Sequence, residues 1–447
     1  MASVTVVGGG LAGCEAAWQL AERGHHVALV EMRPVRITEA HQTNRLAELV
    51  CTNSFKSEDT SNAHGLLKAE MRMLGSILLA AADESRVPAG AALAVDRHVF
   101  SDRMTAIMEE HPRITVVRHE ASSLPDGPAV IATGPLTSDA LTREIQDLLG
   151  DEGLAFYDSI APIVAAESID MDRSWLGSRY GKGDGDDYLN CPMDRERYLA
   201  FLHELRSADV YSGHDWEEIP YFEGCLPVEV LAARGDDTLR FGPMKPVGLP
   251  DPRTGRIPYA VVQLRREDRT GQMWNMVGFQ TRLRTGEQRR VFRMIPGLEE
   301  AEFLRTGSIH RNTYLSFPDR LTAHGSPPGR PGLIFAGQLT GVEGYTESAA
   351  SGILAGINLD RIVRGLEPVV PPPTTMIGGL YRYLREAEPD RFQPMNSNFG
   401  LLDPLAERIR NKREKRTKLA ERAALSLRDW LTSAEIHSVS VLAGTTA

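Results

Sequence analysis

From Val4 to Glu31 the apolar and polar positions trace a strand, a helix and a second strand. Val4-Thr5-Val6-Val7 is a β-branched run suited to a buried strand. Ala16, Ala17 and Leu20 recur at helical spacing, and His26 to Glu31 reads as the next strand. Leu66, Leu67, Met71, Leu74 and Leu78 predict one amphipathic helix over about 64–82. A helix opening at Asp96 and ending near His111, a strand over Ile114–Val117 and a buried strand running into Ala132-Thr133-Gly134 follow. The polar, weakly periodic stretch 38–64 reads as a long loop, and long loops inside compact domains are commonly functional.

The character changes after Gly150. Residues 155–320 mix short strands with charged loops, among them the glycine- and aspartate-rich 180–187. A helix is expected over Met193–Leu205, with strands over Tyr259–Arg265, Trp274–Phe279 and Ile309–Tyr314. A buried strand and a small-residue helix return at 333–356. The tail from Asp403 to Arg422 reads as a helix with Asp403 as cap and Pro404 in its first turn. These shifts divide the chain into a discontinuous domain, 1–155 with 325–447, and an inserted domain, 156–324.

Glycines connect the first strand to its helix: Gly8-Gly9-Gly10-Leu11-Ala12-Gly13 is a Gly-x-Gly-x-x-Gly turn. Gly8 permits the tight turn, Gly10 lets backbone approach a pyrophosphate, and Gly13 lets the helix pack against the strand. Glu31 ends the second strand, where a ribose hydroxyl needs an acceptor. That order of elements points to a bound dinucleotide. A second glycine-rich connection, Gly337-Gln338 through Gly344-Tyr345, lies more than 300 residues later. Gly134 offers a third close backbone approach. Two distant glycine loops suit a long cofactor gripped at both ends, and FAD has that shape. The helix with Ala349, Ala350, Gly352, Ala355 and Gly356 can then sit close to a flavin ring, its N-terminus facing negative charge.

The chain has 447 residues and a formal net charge of −10, so RNA contact requires a local basic patch. Residues 407–422 supply one: eight basic side chains, Lys412, Arg413 and Lys415 among them, face Glu407, Glu414 and Glu421. A solvated helix face and a phosphate-tracking surface both fit this run. Four scattered cysteines with no Cys-x-x-Cys pair suit a reducing cytoplasm and give no metal cluster or disulfide framework. Neither a signal peptide nor an apolar run of membrane-spanning length is expected. Cys51 sits among hydrogen-bonding neighbours, Thr52-Asn53-Ser54, and is either a small buried residue or a reactive thiol. Cys225 lies between Gly224 and Leu226-Pro227, where a loop can present it. Glu223 and Glu229 nearby oppose thiolate formation, so a reactive Cys225 needs a base or a cation such as Arg240 or Lys245. His310-Arg311-Asn312-Thr313, polar between apolar flanks, suits a pocket lining.

These motifs resemble the folate- and FAD-dependent tRNA (uracil-5-)-methyltransferase family (TrmFO). The match runs from Val4 to about Asp360 and takes in Leu49–Ser54, Tyr221–Glu229, Phe241–Leu249, His310–Thr313 and Phe335–Gly352. After Cys51 this chain has Thr52-Asn53-Ser54-Phe55-Lys56, where the family more often has Ser-Asn-Ser-Leu-Arg. The family is related to a larger wobble-uridine-modifying flavoprotein, whose long C-terminal extension this chain lacks. The resemblance implies an α/β fold, a Rossmann-type FAD-binding domain of the GR2-like kind with an inserted α/β domain. It implies that 5,10-methylenetetrahydrofolate donates one carbon, through FAD reduced by NAD(P)H, to C5 of uridine 54 in the T-loop of tRNA. Cys225 matches the nucleophile and Cys51 the thiol assisting proton removal. His310 matches a residue stacking the folate, and Tyr345 lies in the loop beside the flavin. Arg311 and Asn312 are taken with His310 as substrate contacts. A monomer or homodimer working in the cytoplasm without a membrane is expected. Ribosomal RNA as target, or a flavin-dependent folate oxidoreductase, would share most of these motifs.

Overall fold

Five parallel strands build the sheet that carries both glycine loops. The computed structural model describes residues 1–440 apart from 39, 151–153, 160, 212–225, 308 and 390–391; at 154–159 and 309–313 it describes the backbone. The strand order is Leu333–Phe335, Ala129–Ile131, Ser3–Val7, His26–Glu31, Ile114–Arg118. Ser3 pairs with His26 and Val7 with Val30, while Thr5 pairs with Ala129 on the other side. Successive connections leave the Ser3–Val7 strand in opposite directions. That switch point opens a crevice at the carboxyl ends of the strands, where doubly wound sheets bind ligands.

The Leu11–Glu22 helix packs under this crevice, and the Tyr345–Val363 helix crosses it closely. A Cβ added at Gly352 would lie 2.1 Å from the Ala12 carbonyl oxygen, and one at Gly356 would lie 2.7 Å from Gln19 Cβ. The small-residue face expected beside a flavin ring is therefore spent on helix–helix contact. Only the first turns of that helix reach the crevice.

The stripe over 64–82 forms two helices, Ala63–Met73 and Ile77–Glu84, rather than one. Gly75 takes φ +76° between them. The buried Glu15 carboxylate accepts from Ile77 N and Leu78 N and from the Ser76 hydroxyl. Gln19 Nε2 donates to the Leu74 and Gly75 carbonyls. Side chains of the Leu11–Glu22 helix thus satisfy the ends that the break exposes. Burial pushes Glu15 up to about 7, against its donors.

A second core is built on a six-stranded antiparallel sheet ordered Trp175–Leu176, Tyr188–Met193, Ala260–Arg266, Met273–Met276, Ile163–Ala165, Phe303–Arg305. Met193 ends a strand here, opposite Ala260, and the helix expected from Met193 runs over Arg195–Ser207 with Asp194 as cap. An antiparallel ladder of Leu154–Ser159 with Ile309–Tyr314 joins the two cores.

The C-terminal helix also differs from expectation. It spans Lys412–Ser433, and the Asn411 side chain caps it by accepting from Arg413 N and Glu414 N. Asp403-Pro404 lies in an extended segment that runs back along the helix. Arg422 donates to the carbonyls of both residues, and Glu407 pairs with Lys418 at 2.6 Å. Among the described residues, no helix is long and apolar enough to cross a membrane.

Candidate active site

The crevice is a cavity of about 1020 Å³ whose wall includes both glycine loops. Gly8, Gly9, Gly10, Leu11 and Ala12 form one side, and Gly337, Gln338 and Tyr345 the other, with Gly134 and Glu31 between. Gly8 has φ +104°, and a Cβ there would lie 2.4 Å from the Ala132 carbonyl oxygen. A Cβ on Gly13 would lie 1.8 Å from the Gly8 carbonyl oxygen, so this glycine sets the helix against the turn. Around Gly10 the same test finds open space within 4 Å. Its backbone faces the cavity at the N-terminus of a 12-residue helix, a ready anion site.

Glu31 is buried and held below the usual carboxylate range. Burial works against its charge, but hydrogen bonds and charge from Arg33 outweigh it, helped by Gly9 N. Gly9 N donates to Oε2 at 2.8 Å, and Arg33 N and Nε donate to Oε1 at 3.0 and 2.8 Å. An ionised carboxylate has about four acceptor positions, so capacity is left for a ribose hydroxyl. Gly344 caps the Tyr345–Val363 helix, and the Gln338 side chain donates to Glu343. The cradle at Gly10, the acid at Glu31 and the second helix N-terminus together fit a dinucleotide that continues into a ring system.

Three parts of the fold hold the Cys51 loop. The Tyr345 hydroxyl accepts from Cys51 N at 2.8 Å and Thr52 N at 3.1 Å. Arg265, from the second sheet, donates to Thr52 Oγ1 at 2.8 Å and Asn53 Oδ1 at 2.9 Å. Arg97, placed at the first helical position by the Asp96 cap, donates to the Leu49 carbonyl at 3.1 Å and pairs with Glu267 at 2.7 Å. Cys51 is half-buried, and its neighbour Val50 lines the cofactor cavity. Burial pushes the Tyr345 phenol up, which keeps its hydroxyl neutral.

The other expected residues lie elsewhere. Cys225, with Tyr221–Gly224, falls outside the described residues. His310, Arg311 and Asn312 sit on the joining ladder opposite Asp158, Tyr157 and Phe156, and their side chains fall outside the description. Lys412, Arg413 and Lys415 are exposed on the first turn of the last helix and do not line the cavity. Arg240 pairs with Asp237 and lies 3.7 Å over the Tyr259 ring, and Glu229 accepts from Thr281 and Arg282. Arg33, Arg97, Arg265 and Glu267 were not singled out by sequence pattern. Arg97, Arg265 and Glu267 act through partners far away in the chain, whereas Arg33 acts on Glu31 two residues before it; the one capping signal is Asp96-Arg97, a cap followed by a placed arginine.

The family model described as glucose inhibited division protein A matches residues 3–367. A relative from Geobacter sulfurreducens, named methylenetetrahydrofolate–tRNA-(uracil-5-)-methyltransferase TrmFO, is 56% identical over 432 residues, 96% of this chain and 99% of its own. A relative of the same name from Moorella thermoacetica is 56% identical, covering 97% of this chain and 98% of its own. The chain belongs to the TrmFO family. Its fold is shared with Aquifex aeolicus GidA, which superposes with a TM-score of 0.67 at 17% identity over 96% of this chain and 73% of that one. The TrmFO relatives match along nearly the whole chain.

Proposed function

We infer that this protein transfers the one-carbon unit of 5,10-methylenetetrahydrofolate to C5 of uridine 54 in the T-loop of tRNA, in the cytoplasm, with FAD as its bound cofactor. The observation that carries this reading is the 56% identity, over 96% of the chain, to a relative named for that activity. Bound FAD, recharged by NAD(P)H, supplies the two electrons that bring the methylene carbon to the methyl oxidation level. The N-terminus of the Leu11–Glu22 helix holds the pyrophosphate, Glu31 the ribose, and Gly337, Gln338 and Tyr345 the ring end.

Uracil C5 is a weak nucleophile until a group adds at C6. In this reading the Cys225 thiolate adds there and raises electron density at C5. Once the new bond to C5 has formed, the C5 proton leaves to Cys51, and the C6–Sγ bond then breaks as the double bond returns. The clamp of Tyr345, Arg265 and Arg97 fixes the Cys51 loop beside the cavity, which favours such a proton transfer. His310, with Arg311 and Asn312, contacts the folate. Lys412, Arg413 and Lys415 track tRNA phosphates, so binding weakens as salt rises. The test is incubation of the purified protein with NADPH, bulk undermethylated tRNA and methylenetetrahydrofolate labelled in the methylene carbon. Label in tRNA at 5-methyluridine supports the reading, and flavin turnover with no label in RNA overturns it.

A further inference from the structure

A second cavity, of about 610 Å³, opens between the two cores. Thr43, Glu48 and Arg97 come from the first, and Glu267, Met273 and Arg305 from the second. It lies behind the Cys51 loop: Val50 lines the cofactor cavity, while the Leu49 carbonyl is held by Arg97, which lines this one. The stretch 49–50 is therefore a shared wall.

Two carboxylates and two guanidinium groups line this cavity, and all but one of them make an ion pair among the described residues. Glu48 pairs with Arg33 at 3.1 Å and accepts from Thr43, and Glu267 pairs with Arg97 at 2.7 Å. His98 faces Arg45, which pairs with Asp102. Arg305 is half-buried at the end of the Phe303–Arg305 strand and makes no hydrogen bond or ion pair among the described residues. A register shift between Phe303 and Arg305 in their pairing with Ile163–Val164 interrupts the strand's alternation. Phe303 packs on the second core while Arg305 lines the cavity. Burial and the neighbouring Arg97 charge weaken the hold of Arg305 on its proton, and Tyr345, Cys51 and Glu267 only partly offset them. A guanidinium in this state is a fork for a carboxylate.

We propose that Arg305 binds a carboxylate of the glutamyl tail of the folate donor in this second cavity, placing the tail behind the Cys51 loop while the pteridine occupies the cofactor crevice. The inference rests on the folate reading given above. The tail is the part of that substrate carrying permanent negative charge, and no part of the one-carbon chemistry uses it. Its binding energy is available for holding the pteridine in place.

The experiment measures the affinity of the FAD-loaded full chain for tetrahydrofolate and for a tailless tetrahydropterin, each from the flavin absorbance change. Wild type is expected to prefer tetrahydrofolate by about tenfold or more, the worth of one charge-assisted pair. Arg305→Met is expected to bind tetrahydrofolate no better than tetrahydropterin, and Arg305→Lys to recover part of the preference. An Arg305→Met protein that keeps the wild-type preference overturns the proposal. So does one that binds tetrahydrofolate normally but is reduced slowly by NADPH, which assigns the arginine to a nicotinamide phosphate. A wild type that binds neither pterin overturns the folate reading, and this inference with it.

Discussion

Gly10→Ala separates cofactor binding from folding more cleanly than any other change in the first glycine loop. Gly10 has φ −80° and ψ −168°, a conformation open to alanine, and an added methyl meets no protein atom within 4 Å. Alanine also restricts the unfolded chain, so the apoprotein should be unchanged or stabilised by about 0.4–1 kcal/mol. The methyl instead occupies the space through which a pyrophosphate approaches the helix N-terminus. A charged hydrogen bond is worth about 1.5–3 kcal/mol, so loss of one lowers FAD affinity by roughly 10- to 150-fold. The assay pairs the flavin-to-protein absorbance ratio and FAD titration with a thermal melt of the apoprotein. Gly13→Ala is the contrast, because its methyl would lie 1.8 Å from the Gly8 carbonyl oxygen and should destabilise the fold itself. Wild-type FAD affinity in Gly10→Ala, or an apoprotein that melts early, would refute the cradle.

Tyr345→Phe removes the acceptor shared by Cys51 N and Thr52 N and should cost about 1–3 kcal/mol locally. Hydrogen exchange over 49–54 should rise and methyl transfer fall with flavin retained; unchanged exchange would sink this view of the clamp. Cys225→Ala and Cys51→Ala should each give yellow, folded protein without uracil methylation, and turnover at the normal rate in either would remove that thiol from the reaction. Glu347 is buried, and burial opposes its charge, but His64, Lys56 and Ser397 hold its carboxyl well below the usual range. Its folded-state pKa lies under the unfolded value, so its stabilisation is complete above about pH 4.5 and drains away as the pH falls below that. Urea midpoints should therefore drop less steeply for Glu347→Gln than for wild type on going from about pH 5 to about pH 3.

What could be read from the sequence had local causes. The β-branched run at Val4, the spacing of Gly8, Gly10 and Gly13, and the acid at Glu31 each express a constraint met within a few residues of itself. Together they placed the parallel sheet and its glycine turn. The strand at Leu333 and the glycines after it were legible for the same reason. Distant partners hid the rest. The apolar stripe from Leu66 to Leu78 stays in phase across Gly75, and the break follows from Glu15 and Gln19 on another helix. Asp403-Pro404 has the composition of a helix start, yet Asn411 caps the helix and Arg422 holds the carbonyls of that pair. The small-residue face at Gly352 announced a close approach, but its partner is Ala12 of the first helix and not the flavin ring expected there. Arg97 with Glu267, and Arg265 with the Cys51 loop, join residues about 170 and 212 positions apart. No periodicity carries such pairings. The resemblance to a family marked Cys51, and the fold supplies the three-sided clamp around it.

One-carbon transfer from folate to tRNA is followed with methylenetetrahydrofolate deuterated at both methylene positions, NADPH, the FAD-loaded protein and undermethylated tRNA, with mass analysis of the digested nucleosides. The expected product is 5-methyluridine from the T-loop whose methyl group retains both deuteriums. Unlabelled 5-methyluridine, or flavin oxidation with the uridine untouched, would contradict it.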